Sequence, residues 1–136
     1  PRMRKATRQQ TRAHNKRLVL RTIYQEPQTS RAGVARSTGL TRTTISHIVA
    51  ELIAEGLIEE TGRGPSEGGK PPVLLNVIAG SRNLIGVDLA NSRFRGGVLD
   101  LRGNFIERIT MPIHDQNGEL ALEQVVQLID SLLEAS

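Results

Sequence analysis

Apolar residues recur at helical spacing through the first half of the chain and predict three helices. The first covers residues 15–25, and the second is a short helix over residues 31–38. The third begins after Thr41 and stops at Gly56, and its apolar residues follow the i, i+3, i+4, i+7, i+8 spacing of one buried face. These residues are Ile45, Ile48, Val49, Leu52 and Ile53.

The second and third predicted helices meet at a tight turn. The hydroxyl groups of Thr29 and Ser30 suit the cap of the second helix, because they accept hydrogen bonds from otherwise unpaired backbone N–H groups. Gly39 suits the left-handed turn, which a residue with a β-carbon resists, and Leu40 is expected to point inward. This layout is typical of a helix-turn-helix motif. A helical hairpin inside another all-helical domain is the alternative.

The solvent-facing side of the third helix is polar and basic near its N-terminus. Such side chains reach base edges and phosphates when this end of a helix enters the major groove of DNA. We expect Arg42, Thr44 and His47 to contact bases or their immediate surroundings. We assign Thr41, Thr43 and Ser46 to phosphates. For His47, solvent exposure without a role is the alternative.

A glycine- and proline-rich insert follows the third helix. Residues 57–60 and 73–77 are short strand candidates, and the insert over residues 62–72 is a predicted hairpin loop. Three helices followed by a two-stranded hairpin make a winged helix-turn-helix. Arg63 and Lys70 lie on the wing, where they suit a phosphate or a narrow minor groove. A flexible linker with incidental charge is the alternative for this tip.

The second half of the chain has strand periodicity before it has helix periodicity. Residues 83–90, 94–101 and 105–113 predict three strands, with a turn at residues 102–104. A helix from about residue 119 to the end has an apolar side made of Leu122, Val125, Val126, Ile129, Leu132 and Leu133. This order opens an α/β domain, but about 55 residues cover little core. We expect the natural protein to continue, or a partner to complete this half.

Positive charge is concentrated in the first half. Residues 1–70 hold 13 Lys+Arg and 6 Asp+Glu, whereas residues 71–136 hold 5 and 8. Every charged side chain among the first 21 residues is basic, which indicates an arm that neutralises phosphates. Arg8, Arg12 and Arg17 are the expected contacts to flanking phosphates. Binding to a membrane surface, or solubility alone, is the alternative for this arm.

Composition argues against several other classes. The chain has no cysteine, so it has neither a disulfide framework nor a thiolate zinc site. No apolar run approaches the roughly 20 residues of a membrane span, and no signal peptide is visible, so we expect a cytoplasmic protein without membrane contacts. The three histidines lack the spacing of a metal site or a catalytic triad, and we expect no cofactor and no metal.

Several short segments, in this order and spacing, resemble the ROK family of bacterial sugar-responsive repressors and sugar kinases. They are RAGVA at 31–35, TGL at 38–40, EGLI at 55–58, GKPP at 69–72 and LIGVDL at 84–89. The resemblance covers about residues 15–136. It implies a winged helix-turn-helix followed by a sugar-kinase-like domain of the actin and hexokinase fold. It also implies dimers or tetramers that bind palindromic operators and release them on binding a sugar or a partner protein.

The chain departs from the kinases of that family. Their phosphate turn has an Asp followed by Gly-Gly-Thr, because glycines let the backbone approach the ATP phosphates closely. The corresponding segment, residues 88–93, carries Ala90 and Asn91 at the glycine positions and Ser92 at the threonine position. A catalytic Asp in a sugar site, a Glu-x-Gly-His motif and a cysteine-rich zinc loop are missing from the sequence. Asp88 is therefore expected to be a structural vestige, and the chain not to be an enzyme.

The resulting hypothesis is a sequence-specific double-stranded DNA-binding regulator of the α+β class, acting as a sugar-responsive repressor. Its predicted parts are a basic arm (1–14), a winged helix-turn-helix (15–80) and an incomplete sugar-kinase-like α/β domain (81–136). We expect a homo-oligomer, and a sugar effector only in a longer chain. A sugar kinase with an added DNA-binding domain and a winged-helix protein-interaction module are the alternatives. The predicted DNA contacts are Arg8, Arg12, Arg17, Ser30, Arg31, Thr41, Arg42, Thr43, Thr44, Ser46, His47, Arg63 and Lys70.

Overall fold

The computed structural model describes residues 6–90, 93–113 and 118–136. The chain divides into two compact units, with the boundary between Ile78 and Ala79. Each unit combines helices with an antiparallel sheet of three strands. The predicted α+β class is therefore confirmed.

The first unit consists of three helices and a small sheet. The helices are α1 (Arg8–Gln25), α2 (Arg31–Thr38) and α3 (Arg42–Ala54). The strands are β1 (Thr29–Ser30), β2 (Ile58–Arg63) and β3 (Val73–Val77), paired antiparallel in the order β1-β3-β2. Helices and sheet share one apolar core, formed by Val19, Ile23, Val34, Ile45, Ile48, Val49, Leu52, Ile58, Leu75 and Val77.

The first helix begins earlier than the apolar pattern predicts, at Arg8 instead of residue 15. Thr7 and Gln10 form a capping box, in which each side chain accepts a hydrogen bond from the other residue's backbone N–H. The added turns carry the ion pair of Arg12 with Glu51 of α3, and apolar periodicity does not detect such a charge contact. Residues 8–14 of the predicted arm are therefore helical, and residues 1–5 lie outside the described residues.

Three further details of this unit differ from the prediction. The strand β1 was missed because it has only two residues, which pair with Leu74 and Leu75 of β3. The strand β2 continues to Arg63 past an irregularity in its pairing with β3, so the wing loop starts later than expected. Ile53 is 37% exposed although it shares the spacing of the buried face, so the buried face of α3 is narrower than its apolar pattern.

The second unit is a meander of strands with one helix against it. The strands β4 (Leu84–Leu89), β5 (Arg93–Leu99) and β6 (Phe105–Pro112) pair antiparallel in sequence order. The helix α4 (Gly118–Ala135) packs on the sheet through a core of Phe94, Val98, Leu128 and Leu132.

A tight turn joins β5 to β6. The Asp100 carboxylate accepts hydrogen bonds from the Asn104 side chain and from the backbone N–H groups of Asn104 and Arg102. These bonds, the Asn104 side chain first, hold the pKa of Asp100 below its usual value. The turn thus has a structural explanation and no sign of a ligand site.

The apolar side predicted for α4 is only partly correct. The stripe that packs on the sheet combines Ala121, Val125, Leu128 and Leu132, of which the sequence interpretation included two. A second apolar stripe is exposed, and in the described residues of this unit no element covers it. It consists of Leu122, Val126, Ile129 and Leu133.

We predict that Gly96→Ala destabilises the second unit by about 1–3 kcal/mol, the usual cost of overpacking a core. A β-carbon at this position would lie 2.5 Å from Leu132 Cδ1 and 3.0 Å from Leu128 Cδ1, and both leucines are fully buried. The measurement is hydrogen exchange of the β5 amides. Gly86→Ala is the matched control, because its β-carbon would meet nothing closer than 3.7 Å. Equal protection in the two variants would contradict the packing argument.

We predict that Gln28→Gly stabilises the first unit by about 0.5–1 kcal/mol. Gln28 has a φ of 62°, a conformation that costs a side-chain-bearing residue about 1–2 kcal/mol, while glycine adds about 0.5–1 kcal/mol of unfolded-state entropy. Chemical denaturation followed by the fluorescence of Tyr24, the single tyrosine of a chain without tryptophan, measures this change. Gln28→Ala keeps the strain and serves as the control. A midpoint that moves no further for glycine than for alanine would refute the idea.

Candidate nucleic-acid interface

Residues that the sequence singled out cap α2 and α3 and form the turn between them. The Ser30 hydroxyl caps α2 by accepting from the Gly33 N–H at 3.1 Å. Gly39 takes the left-handed conformation with a φ of 72°, and its N–H donates to the Ala35 carbonyl. The Thr41 hydroxyl caps α3 by accepting from the Thr44 N–H at 3.2 Å. Gly39 and Thr41 thus shape the turn before α3, and Ser30 fixes the start of α2.

The N-terminal end of α3 faces solvent. Arg42, Thr43, Ser46 and His47 are exposed, whereas Ile45 between them is fully buried. Thr44 is half-buried and its hydroxyl accepts a hydrogen bond from Thr41, so this hydroxyl is partly engaged within the fold. The apolar side of α3 therefore packs on the core, and its polar side is accessible to a ligand such as DNA.

A groove brings the start of α2, the start of α3 and the wing together. Four cations of the predicted site, one from each helix and two from the wing, line the same open cavity of about 420 Å³. The residues of the predicted site that line it are Ser30, Arg31, Arg42, Ser46, Arg63 and Lys70. Four positive charges on one groove create a potential that attracts polyanions. We refer to this cavity as the wing groove.

Hydrogen bonds hold the wing in shape. The Arg63 guanidinium donates to the Pro71 carbonyl at 3.3 Å, and the Gly64 N–H donates to the Pro72 carbonyl at 2.9 Å. The Ser66 hydroxyl donates to the Gly69 carbonyl at 2.6 Å. Lys70 follows directly and is exposed. The loop is thus closed by its own backbone groups, which leaves the Lys70 ammonium at the surface.

A second groove runs between α1 and α3. It is lined by Arg8 and Arg12 from α1 and by Thr44, His47 and Glu51 from α3, among others. The structure thereby places two predicted arm cations beside the exposed end of α3. Arg17 lies elsewhere: it lines a small cavity with Leu20, Leu52 and Leu57. Of the three arm residues assigned to flanking phosphates, Arg17 is the one that the structure separates from α3's exposed end.

Sequence reasoning missed the acidic partners of these cations. Arg12 and Lys16 form ion pairs with Glu51, and Lys16 also pairs with Glu55. Arg31 pairs with Glu60, with 2.7 Å between Nη2 and Oε1. Arg12 and Glu51 are 39 residues apart, as are Lys16 and Glu55, and Arg31 and Glu60 are 29 residues apart, so no local pattern in the sequence indicates these pairs.

Comparison with known proteins supports the assignment of the first unit. Residues 12–59 match the family described as winged helix-turn-helix DNA-binding. Within the described residues, no helix has the length and apolar character needed to cross a membrane. The same residues contain no group of three or more His, Cys, Asp or Glu side chains placed to hold a metal ion.

Curated relatives extend over most of the chain. A xylose repressor of Caldicellulosiruptor bescii is 35% identical over 129 residues, which cover 90% of this chain and 30% of that protein. A putative xylose repressor of Caldicellulosiruptor sp. (strain Rt8B.4) is 32% identical over 123 residues, covering 90% of the chain and 31% of the relative. The xylose repressor of Bacillus subtilis is 28% identical over 115 residues, covering 85% and 30%.

A solved structure matches the fold of both units. The crystal structure of a ROK family transcriptional regulator, a homologue of the E. coli MLC protein, superposes with a TM-score of 0.74 and 22% identity over 91% of this chain. The predicted resemblance to the ROK family is confirmed. So is the predicted order of a winged helix-turn-helix followed by the first strands and helix of an α/β domain. The chain spans about a third of the length of the ROK-type relatives it matches.

We predict that Thr41→Ala destabilises the first unit by about 1 kcal/mol, because the Thr44 N–H loses the hydroxyl that caps α3. Denaturation followed by Tyr24 fluorescence measures the loss. Thr43→Ala is the matched control, since Thr43 is exposed, lies two residues further along and does not cap the helix. A loss of the same size in both variants would show that the cap does not stabilise α3.

Proposed function

We propose that this chain is the DNA-binding part of a sequence-specific transcriptional repressor of the ROK type. The observation that carries the proposal is the wing groove, where the exposed end of α3 and two wing cations face the same space. A helix end supplies base contacts, and cations on either side supply the sequence-independent attraction to phosphates. The DNA-binding domain is proposed to cover residues 15–80, with residues 1–14 as a basic arm and residues 81–136 as the start of the sugar-kinase-like domain.

The division of roles within the interface follows from burial and partners. Arg42 is exposed at the first turn of α3, and no ion pair of the described residues includes it, so its guanidinium is available for the edge of a guanine. His47 lies five positions further along α3, is also exposed, and lines the groove between α1 and α3 together with Arg8. Thr44 contributes less to base contacts than the sequence suggested, because its hydroxyl already pairs with Thr41. Thr43 and Ser46, together with Ser30, remain candidates for phosphate contacts.

The whole protein is proposed to act as a cytoplasmic homo-oligomer on a palindromic operator and to respond to a sugar. Several relatives are named xylose repressors, which makes a pentose the first effector to test. A kinase activity is not proposed, because Ala90 and Asn91 replace the glycines that a phosphate turn needs. A protein-interaction module is disfavoured by the four cations on one groove, which suit a polyanion.

We predict that Arg42→Ala weakens binding to the operator by about 1–3 kcal/mol and relaxes sequence preference. The matched control is Lys70→Ala, which removes one positive charge from the same groove but lies on the wing. Lys70→Ala should weaken binding to all duplexes alike. It should also reduce the slope of log affinity against log salt by the amount expected for about one phosphate contact.

The experiment titrates each variant against a fluorescent duplex from the gene's own upstream region and against a shuffled duplex of equal composition, over a salt series. Wild-type protein should prefer the native duplex. If Arg42→Ala loses as much affinity for the shuffled duplex as for the native one, Arg42 neutralises phosphate and reads no base. If wild-type protein binds neither duplex at low salt, the proposed function is wrong.

A further inference from the structure

The acidic residue Glu60 pairs with one of the four cations that line the wing groove. Its carboxylate forms an ion pair of 2.7 Å with the guanidinium of Arg31, the first residue of α2. The two side chains are 46% and 35% exposed, so solvent and solutes reach the pair. Arg31 itself lines the wing groove together with Arg42 and Lys70. A cation of the proposed DNA surface is therefore already bound to a carboxylate of the same protein.

The sheet fixes this arrangement. Leu75 of β3 pairs with Thr29 of β1 on one side and with Glu60 of β2 on the other, so the three residues form one row across the sheet. Arg31 follows Thr29 by two positions and begins α2 directly after β1. The strand β2 thereby places the carboxylate of Glu60 within reach of the start of α2, and the pair does not depend on a flexible loop.

A carboxylate and a phosphate diester both accept charge-assisted hydrogen bonds from a guanidinium, and Glu60 already engages Nη2 of Arg31 and offsets its charge. Arg31 can therefore bind a DNA phosphate in full only after it leaves Glu60. The carboxylate left behind would be unpaired beside the phosphate backbone and would repel it. This cost arises on any base sequence, because phosphates carry no sequence information.

We propose that Glu60 competes with DNA phosphates for Arg31 and thereby lowers the sequence-independent affinity of the wing groove. Glu60 is a positioning residue that acts through Arg31, and it shifts the balance of binding energy towards base contacts made by α3. The inference rests on the proposed DNA binding and adds an acidic specificity determinant to it.

Glu59 supplies a matched control. It neighbours Glu60 on β2, is exposed, and lies opposite Asn76 of β3. No ion pair among the described residues includes Glu59. Glu59→Gln and Glu60→Gln remove the same charge from adjacent positions, so a difference between them does not come from the net charge. Because adjacent strand residues face opposite sides of the sheet, the Arg31→Ala background then separates the pair from the position of the carboxylate.

The test measures binding to a random-sequence duplex between about 50 and 200 mM salt, the range where phosphate contacts change affinity strongly. Glu60→Gln should bind about twofold to fivefold more tightly than Glu59→Gln at the lowest salt, as expected for release of an exposed ion pair. Its plot of log affinity against log salt should be steeper by about 0.9, the value for one added phosphate contact. In an Arg31→Ala background the added salt slope of Glu60→Gln should disappear, because no guanidinium remains to be released to a phosphate; a slope that stays steeper would overturn the role of Arg31. Thermal denaturation of each variant checks the fold.

The outcomes separate this inference from the function on which it rests. Equal affinity and equal salt slope for the two glutamine variants, with wild-type protein still binding DNA, would overturn the role of Glu60 and leave the DNA-binding proposal standing. Weaker binding by Glu60→Gln would also overturn it, because Glu60 would then orient Arg31 towards DNA. Absence of binding by wild-type protein would remove the proposed function itself.

Discussion

The pairing of β1 with β3 is the constraint on which the candidate interface depends. The strand β1 has two residues, and its second residue, Ser30, is also the cap of α2. The strand β3 is the returning strand of the wing hairpin, paired with β2 on its other edge. A single short ladder therefore joins the wing to the start of the helix-turn-helix. Together with the burial of Ile58 and Leu75 in the core, this ladder fixes the wing cations relative to Arg42 in the wing groove.

In the first unit, the positions of free positive charge depend on acidic side chains of the same unit as much as on the excess of basic residues. The basic run at the N-terminus suggested an extended arm for phosphates, yet from Arg8 onward it is helical, and two of its cations are bound to Glu51 and Glu55. The ion pairs of Arg12 and Lys16 attach α1 to α3 at exposed sites, where each pair contributes little stability but restricts geometry. The cations of the wing groove are less compensated, since the described ion pairs include only Arg31 among them.

Apolar periodicity predicted the elements whose stability comes from one continuous buried face. It located α3 and its turn at Gly39 because Ile45, Ile48, Val49 and Leu52 all contact the same core. It was wrong at Ile53 and at four of the six residues of the predicted α4 stripe, because the width of a buried face depends on how many neighbours cover it. The start of α1, the strand β1 and the Arg31–Glu60 pair depend on contacts between distant segments, which single-sequence patterns do not contain. The resemblance to the ROK family predicted the order of the two units, which periodicity alone would have left open.

The wing loop is closed at its base. Because of this closure, the stability of the first unit depends only weakly on the length of the loop. The Gly64 N–H bonds to the Pro72 carbonyl, and Arg63 pairs with Val73 in the sheet, so the residues between are fastened at both ends. The entropy of closing a flexible loop grows only with the logarithm of its length, and each doubling costs about 0.6 kcal/mol. Insertions among residues 65–69 would therefore change the free energy of folding little. They would nevertheless move Lys70 nearer to or further from a bound duplex. The reach of the wing can vary between related proteins independently of the helices that it accompanies.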